Sequence, residues 1–505
     1  LKLTELIGGG DPPVDAGPVR DPDITGLTAD SRAVRPGFLF VALPGARFDG
    51  RGFAAEAAAR GAAAILTDDA AALDLSLEAR QGIAVVAGPN PRRRLALMAA
   101  RFYGRQPRTV AAVTGTNGKT SVAHFTREIW TAAGYAAASV GTLGVVTSSG
   151  RRAGALTTPD PAALHRDLAA LAERGIDHVA IEASSHGLAQ FRLDGLSLAA
   201  AAFTNLTRDH LDYHRDMAAY RVAKERLFTA ILAPGRPAVL NRDSGEFSHL
   251  SALCRQHGHP VFAFGRDKSA ELRLICARPG ERGQGLAIEV FGRRHELSLP
   301  LLAEFQAMNA LAALGLAIAS GVAVEAGIAA LAKLTGVPGR LQFVAEGKAG
   351  GGIVVDYAHT PDALATVLGA LRPHTPGRLA VLFGAGGDRD PGKRPLMGRV
   401  ATGAADRVYV TDDNPRSEDA AAIRRAILAA APRAIEIGDR RRAIETAIAE
   451  LGAGDMLVIA GKGHETGQIV GDETLPFDDA EIARAIVERR PGVERRPSVR
   501  RRTGS

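Results

Sequence analysis

Seven consecutive residues, Thr114-Gly115-Thr116-Asn117-Gly118-Lys119-Thr120, have the make-up of a phosphate-binding loop. Small residues let backbone N–H groups close around phosphate, and the N-terminus of a following helix adds positive potential. Lys119 would reach the β- and γ-phosphates of a nucleoside triphosphate, and the Thr120 hydroxyl would ligate Mg²⁺. The strict pattern wants a glycine five places before Gly118, where this chain has Val113. An ordinary turn with a surface lysine is the competing reading. Against it, Val110–Val113 reads as a short buried strand, and Ser121 to Ala133 has helical spacing.

Other clusters follow apolar runs. Glu182-Ala183-Ser184-Ser185-His186-Gly187 offers a carboxylate, two hydroxyls and an imidazole. Glu182 suits a hard cation such as Mg²⁺, while Ser184 or Ser185 equally suits a helix N-cap. The stretch from Thr204 to His214 sets Asp209 and Asp212 among His210 and His214, groups that could serve metal and phosphate. Lys224 reads, on spacing alone, as a solvated helix lysine. Further on, Asp356-Tyr357-Ala358-His359, Gly384 to Asp390, Thr411 to Arg416, and Gly461-Lys462-Gly463-His464-Glu465 each sit at a strand end. Each could be a plain βα connection. Together, Arg389 and Arg416 offer forks for a carboxylate and Glu465 a partner for an ammonium, which suits a zwitterionic amino acid.

These clusters need a scaffold that gathers strand ends, and the chain alternates strand and helix signals throughout. The pattern predicts an α/β protein of three domains. Residues 1–107 form a small N-terminal α/β domain. Residues 108–335 form a central ATPase-type domain with a mostly parallel sheet around the phosphate loop. Residues 336–488 form a second doubly wound α/β domain, and residues 489–505 a basic tail expected to be disordered. Strands are expected at 39–43, 62–66, 83–86, 110–113, 179–181, 199–203 and 238–240, short antiparallel strands between Val261 and Leu299, and a long helix from Glu304 to Ser320. The third region's strands are expected at 353–355, 379–383, 408–410 and 456–460. In such sheets ligands collect at the carboxyl ends of the strands.

Composition narrows the class. The formal charge of +7 is carried almost wholly by the last seventeen residues, where seven arginines face Glu494. The body is near neutral and has no basic patch with interleaved aromatics, so nucleic acid is not an expected partner. No apolar run reaches the roughly 18 residues of a membrane span, and no secretory signal is visible. Two cysteines, Cys254 and Cys276, suit a reducing compartment, so a cytoplasmic location is expected; the expected state is a monomer.

The loop, the Glu-Ala-Ser-Ser-His-Gly-Leu segment from Glu182, the Thr-Asn-Leu-Thr-Arg-Asp-His-Leu-Asp-Tyr-His segment from Thr204, and Asp413-Asn414-Pro415-Arg416 resemble the motifs of the Mur ligases in order and spacing. These are ATP-dependent amide-forming enzymes of peptidoglycan synthesis, and the Asp-Asn-Pro-Arg motif resembles that of their diaminopimelate-adding members. The resemblance implies that residues 1–107 bind the UDP end of the substrate, that 108–335 are the ATPase and that 336–488 are a Rossmann-like amino-acid-binding domain. It implies addition of meso-2,6-diaminopimelate to the D-Glu side-chain carboxylate of UDP-N-acetylmuramoyl-L-alanyl-D-glutamate through an acyl phosphate. It implies ATP on Gly115, Thr116, Asn117, Gly118, Lys119, Thr120 and Ser121, with Asn309 toward the base, Arg340 toward phosphate and Asp356 toward ribose. It implies the UDP-substrate on Ala29, Ser31, Thr157, Thr158, Ser184, Gln190 and Arg192, with Ala46, Arg47 and Phe48 nearby, although that last segment departs from the family pattern. Diaminopimelate would meet Arg389, Asp413, Asn414, Pro415, Arg416, Gly461 and Glu465. Mg²⁺ would be held by Thr120, Glu182, His210 and Lys224, the last as a carbamylated lysine. Lys119, Lys224, His210 and Glu182 would be the catalytic set, with His210 a candidate base for the attacking amine. A lysine-adding relative, a folylpolyglutamate synthetase and a nucleotide-switched binding protein are the rival readings.

Overall fold

The computed structural model describes residues 1–8, 15–16, 20–45, 49–76, 79 and 82–488. The tail at 489–505 and the segment Ala46-Arg47-Phe48 lie outside the described residues. By internal contacts the chain forms two compact units. Of the described residues, those within 1–277, 286–299 and 305–334 form one, and those within 278–285, 300–304 and from 335 to 488 form the other.

The first unit begins with a small sheet ordered Asp15–Ala16, Ala84–Ala87, Ala64–Thr67, Phe38–Val41, Gly26–Thr28, parallel except at its Asp15–Ala16 edge. The helix Pro91–Tyr103 closes it. Asn90 caps that helix by accepting from Arg93 N, Pro91 occupies the first turn, and Gly104 ends it at φ 63°. Leu95 and Met98 then bury against Leu39, Val41 and Leu66, each such side chain contributing about 1.5–3 kcal/mol.

A larger sheet follows, with a parallel centre ordered Ala238–Asn241, Ala200–Phe203, Thr109–Thr114, His178–Glu182, Ala137–Gly141. All six residues of Thr109–Thr114 are buried. Its Thr-Val-Ala-Ala-Val-Thr sequence is the continuous run that a strand covered on both faces requires. Its two neighbours come from later in the chain on opposite sides, so the connections diverge here. The register sets Glu182 opposite Val113 and Phe203 opposite Thr114. Three polar strand exits therefore meet at one edge, where open α/β sheets bind ligands.

One expectation fails in this region. Val261–Gly265 is not part of an antiparallel set, because it pairs parallel with Ala238–Asn241 and with the start of Leu272–Gly280. Its buried Ala263, Phe264 and Gly265 extend the parallel core, and their apolar character outweighs the glycine turn signal that suggested a hairpin. The helix after the phosphate loop starts at Lys119, two residues earlier than its apolar spacing suggested.

The second unit holds a six-stranded sheet ordered Gln342–Glu346, Gly352–Asp356, Met456–Ala460, Leu379–Phe383, Arg407–Val410, Ile435–Glu436, parallel except for its first strand. Leu379–Phe383 and Met456–Ala460 are wholly buried apolar runs, with one cluster on each face. The helices Pro361–Leu371, Lys393–Ala404 and Ala420–Leu428 cover one face through Leu364, Met397 and Ile427. Arg440–Ala449 and Asp479–Glu488 cover the other through Ile444 and Ile482. Among the described residues no helix is long and apolar enough to cross a membrane.

Candidate active site

The phosphate loop is shaped by backbone that only glycine tolerates well. Gly115 and Gly118 lie at φ 152° and 87°, and a Cβ on Gly118 would sit 2.5 Å from Asn309 Oδ1. Asn309, on the helix Glu304–Ala319, thus stands against the loop. The exit of Ala200–Phe203 holds the loop from the other side. Thr116 N–H donates to Asn205 O (2.8 Å), Asn117 N–H to Asn205 Oδ1 (2.9 Å), and Thr204 Oγ1–H to Asn117 O (2.6 Å). Lys119 Nζ donates to the carbonyls of Gly115 (2.9 Å) and Thr116 (2.8 Å).

Glu182 is fully buried beside this loop. Thr120 Oγ1–H donates to its Oε2 (2.8 Å) and Thr142 N–H to its Oε1 (2.7 Å). Burial pushes the carboxyl upward, opposed by the Lys119 charge and these hydrogen bonds. Thr142 also reaches Thr157 Oγ1 (3.1 Å). Sequence reasoning missed Thr142, yet it follows the strand Ala137–Gly141, directly beside His178–Glu182. An inventory of every strand exit would have found it.

Lys224 is not the solvated helix lysine that its spacing suggested. It is 1 % exposed; its amine donates to Gly115 O (2.7 Å) and lies 4.3 Å from the Tyr220 ring centroid. Burial, reinforced by the Lys119 charge, lowers it to about 6, so it is largely neutral at pH 7. Tyr220 carries its hydroxyl to Thr116 Oγ1 (3.2 Å). His210 sits at φ 51°, a backbone region that costs a non-glycine residue about 1 kcal/mol or more. Its ring packs on His186 (4.9 Å), which in turn packs on Tyr213 (4.1 Å).

Among the described residues no group of three or more His, Cys, Asp or Glu is placed to hold a metal. The sequence-predicted Mg²⁺ set contains only Glu182 and His210 of those types. Its donor chemistry fits a hard cation nonetheless: the Thr120 hydroxyl and a buried Glu182 carboxylate lie in contact at the mouth of the loop.

Five of the residues expected to hold the nucleotide-sugar peptide form one network. Thr158 Oγ1–H donates to Glu182 O (2.7 Å) and pairs with Ser184 Oγ (3.0 Å), whose oxygen also caps the helix Ser185–Ala189 at Gly187 N. Ser184 is thus the helix N-cap that its sequence position allowed. Arg192 donates to Thr158 O (2.6 Å) and Gln190 Oε1 (2.7 Å). Thr157 joins through Thr142. Ser31 is buried and donates to Glu56 Oε2 (2.9 Å), and Ala29 is exposed nearby; no hydrogen bond among the described residues ties them to the other five.

In the second unit the exits of three strands interlock. Asn414 Nδ2–H donates to Glu465 Oε2 (2.9 Å), and Gln468 Nε2–H to Asp413 O (2.7 Å). Arg416 stands at φ 52°; its N–H donates to Ile469 O (3.1 Å) and its Nη1 to Gly387 O (2.7 Å). A Cβ on Gly386 would lie 2.8 Å from Arg416 Nη1 and 3.8 Å from Arg389 Cγ, so the two arginines flank one glycine. Gly461 packs on Asp413 Oδ2, and Pro415 carries the chain into Arg416. Asp356 is buried, its carboxyl pushed up by burial while Leu341 N–H (2.8 Å) and Ala358 N–H (2.7 Å) oppose the shift. Arg340 lies 4.8 Å above the Tyr357 ring. Lys462, absent from the expected set, is fully buried among these groups.

Three family models match successive stretches: Mur ligase family, catalytic domain, over 23–103; Mur ligase middle domain, over 113–317; and Mur ligase, glutamate ligase domain, over 339–463. The UDP-N-acetylmuramoyl-L-alanyl-D-glutamate--2,6-diaminopimelate ligase of Caulobacter vibrioides is 53% identical over 473 residues, 92% of this chain and 96% of that one. The chain belongs to the Mur ligase family. A second ligase of that name, from Mesorhizobium japonicum, is 50% identical over 490 residues, 97% of this chain and 100% of its own. A solved structure of a ligase of the same name superposes with a TM-score of 0.70 at 33% identity, covering 92% of this chain and 94% of that one. In this Mur ligase the Val113 position is a buried strand residue opposite Glu182, not a turn, which removes the need for glycine there.

Proposed function

We propose that this Mur ligase joins meso-2,6-diaminopimelate to the D-Glu side-chain carboxylate of UDP-N-acetylmuramoyl-L-alanyl-D-glutamate at the expense of ATP. The observation that carries the reading is the Asp413–Arg416 and Glu465 loop cluster, found in a chain about half identical, nearly end to end, to ligases of that name. A carboxylate does not accept an amine at neutral pH, because its oxygen leaves poorly. Transfer of the γ-phosphoryl group to the D-Glu carboxylate gives an acyl phosphate. The free amine then attacks, and phosphate leaves from the tetrahedral intermediate.

The loop residues Gly115 to Ser121, with Asn309, hold ATP; Arg340 and Asp356 are further candidate contacts for it. Lys119 neutralises charge on the transferring group, the main work in phosphoryl transfer. Thr120, Glu182, His210 and a carbamylated Lys224 would hold Mg²⁺, which supplies further charge neutralisation at the phosphates. The largely neutral amine of Lys224 supports carbamylation, since only the free amine adds CO₂. Thr157, Thr158, Ser184, Gln190 and Arg192, with Ala29 and Ser31, take the UDP-substrate. Arg389, Asp413, Asn414, Arg416, Gly461 and Glu465 take diaminopimelate, a carboxylate on the arginines and an ammonium on Glu465.

A phosphate-release assay with the UDP-muramoyl dipeptide tests this. Release is expected with diaminopimelate and not with lysine or with no acceptor. Equal use of lysine would overturn the amino-acid assignment, and acceptor-independent release would favour a nucleotide switch. Activity of Lys224→Ala is expected to recover in part with short carboxylic acids, and full activity without them would remove the carbamate.

A further inference from the structure

We propose that Lys462 is a positioning residue for the amino acid: its ammonium sets the Asn414 amide and the Glu465 carboxylate before the substrate arrives. The inference rests on the reading that this loop cluster takes diaminopimelate.

Lysine is almost never fully buried unless its charge is satisfied. Lys462 has no exposed side-chain surface and follows the buried strand Met456–Ala460. An ammonium has three donors and no acceptor. Here all three are used, on Gly467 O (2.6 Å), Asn414 Oδ1 (3.0 Å) and Glu465 Oε2 (3.3 Å). No donor is left for a ligand, so Lys462 acts through its partners.

Its effect on Asn414 is directional. Asn414 Oδ1 accepts from both Lys462 Nζ and Ile469 N–H (3.0 Å), so a flipped amide would set its NH₂ against two donors. The amide is therefore held with Nδ2 toward Glu465 Oε2 (2.9 Å). Glu465 Oε2 then accepts from Asn414 and Lys462 together, while Oε1 has no hydrogen-bond partner among the described residues. The carboxylate keeps about a third of its surface exposed. One oxygen is pinned and the other is left for a substrate ammonium. Substrate thus meets an assembled acceptor and does not have to order one, which favours binding.

A mere tie between loops would lower stability and would not single out one substrate. The positioning role predicts that Lys462→Met raises the KM for diaminopimelate about 10- to 100-fold, the scale of hydrogen bonds to charged groups. The KM values for ATP and the UDP-muramoyl dipeptide, and kcat at saturating diaminopimelate, stay within about twofold. Adding Asn414→Ala to Lys462→Met costs less than it does in the unmutated background, because the two act as one unit. An unchanged KM for diaminopimelate, a rise shared by all three substrates, or full additivity overturns the proposal. Should Lys462→Met fail to fold, the unmutated enzyme with ¹⁵N-labelled lysine tests the same role. The buried ammonium signal should shift with saturating diaminopimelate but not with ADP, and no shift with diaminopimelate overturns the role. If the unmutated enzyme does not use diaminopimelate at all, the functional reading falls. If it does and Lys462→Met behaves normally, only the positioning role falls.

Discussion

The two candidate ligand edges are built on different principles. At the phosphate loop, position is set mostly by neutral groups: the Asn205 backbone and amide and the Thr204 hydroxyl clasp the loop, and Thr120 and Thr142 clasp Glu182, while Lys119 and Lys224 add bonds to loop carbonyls. In the second unit, position is set by buried charge. Lys462 lies under Asn414 and Glu465, and the fully buried pair Arg440–Asp479 (2.7 Å) lies under the exits of two strands, where Arg440 donates to Ala460 O (3.0 Å) and Asp412 O (3.3 Å). The edge proposed to handle phosphate is thus held mostly by neutral groups, and the edge proposed for the amino acid by ions.

The comparison can be broken most forcefully at Asp479. Asp479→Ala strands the Arg440 guanidinium without its carboxylate, and unfolding by urea should show a loss of about 3–5 kcal/mol. A loss under about 1 kcal/mol would mean that buried charge does not hold this edge. Next, Lys119→Met should lower kcat by about 10²–10³-fold, the scale for removing one preorganised charge-stabilising donor, while diaminopimelate binding measured by calorimetry persists. Arg416→Ala should cost about 2–3 kcal/mol, or roughly 30- to 150-fold, in selectivity for diaminopimelate over lysine, with ATP affinity intact. Smallest of the four, Thr142→Val removes the bond from Thr142 Oγ1–H to Glu182 Oε2 (3.2 Å), along with the hydroxyl contact to Thr157, and leaves the backbone bond to Glu182. A destabilisation of about 0.5–1.5 kcal/mol is expected by thermal denaturation, and a larger one would show that hydroxyls carry more of the first edge than the geometry suggests.

The first edge was largely legible in sequence, because strand, glycine turn, Lys-Thr and helix are contiguous. Most parallel strands were legible too, since strands buried on both sides read as unbroken apolar runs, as in Leu379–Phe383. Val261–Gly265 misled because periodicity does not tell which partner a strand will choose. The spacing of Lys224 suggested a solvated lysine, a reading that only the family resemblance set aside, and Lys462 was passed over; both have one reason. A lysine's burial depends on residues far away in sequence, Gly115 for one and Asn414 for the other, and local spacing carries no trace of them. Thr142 was hidden likewise, as its importance depends on Glu182, forty positions on.

The seating of the phosphate loop on Asn205 also orders events in time. The bond from Asn117 N–H to Asn205 Oδ1 spans 88 positions, and the loop's strand lies between two strands that are translated later. Contacts of such long reach form late and slowly. On the ribosome, where chains grow at about 5–20 residues per second, the finished loop sequence must wait several seconds for the residues that close it. A nascent chain ending before Asn205 carries the whole motif and is expected to bind no nucleotide.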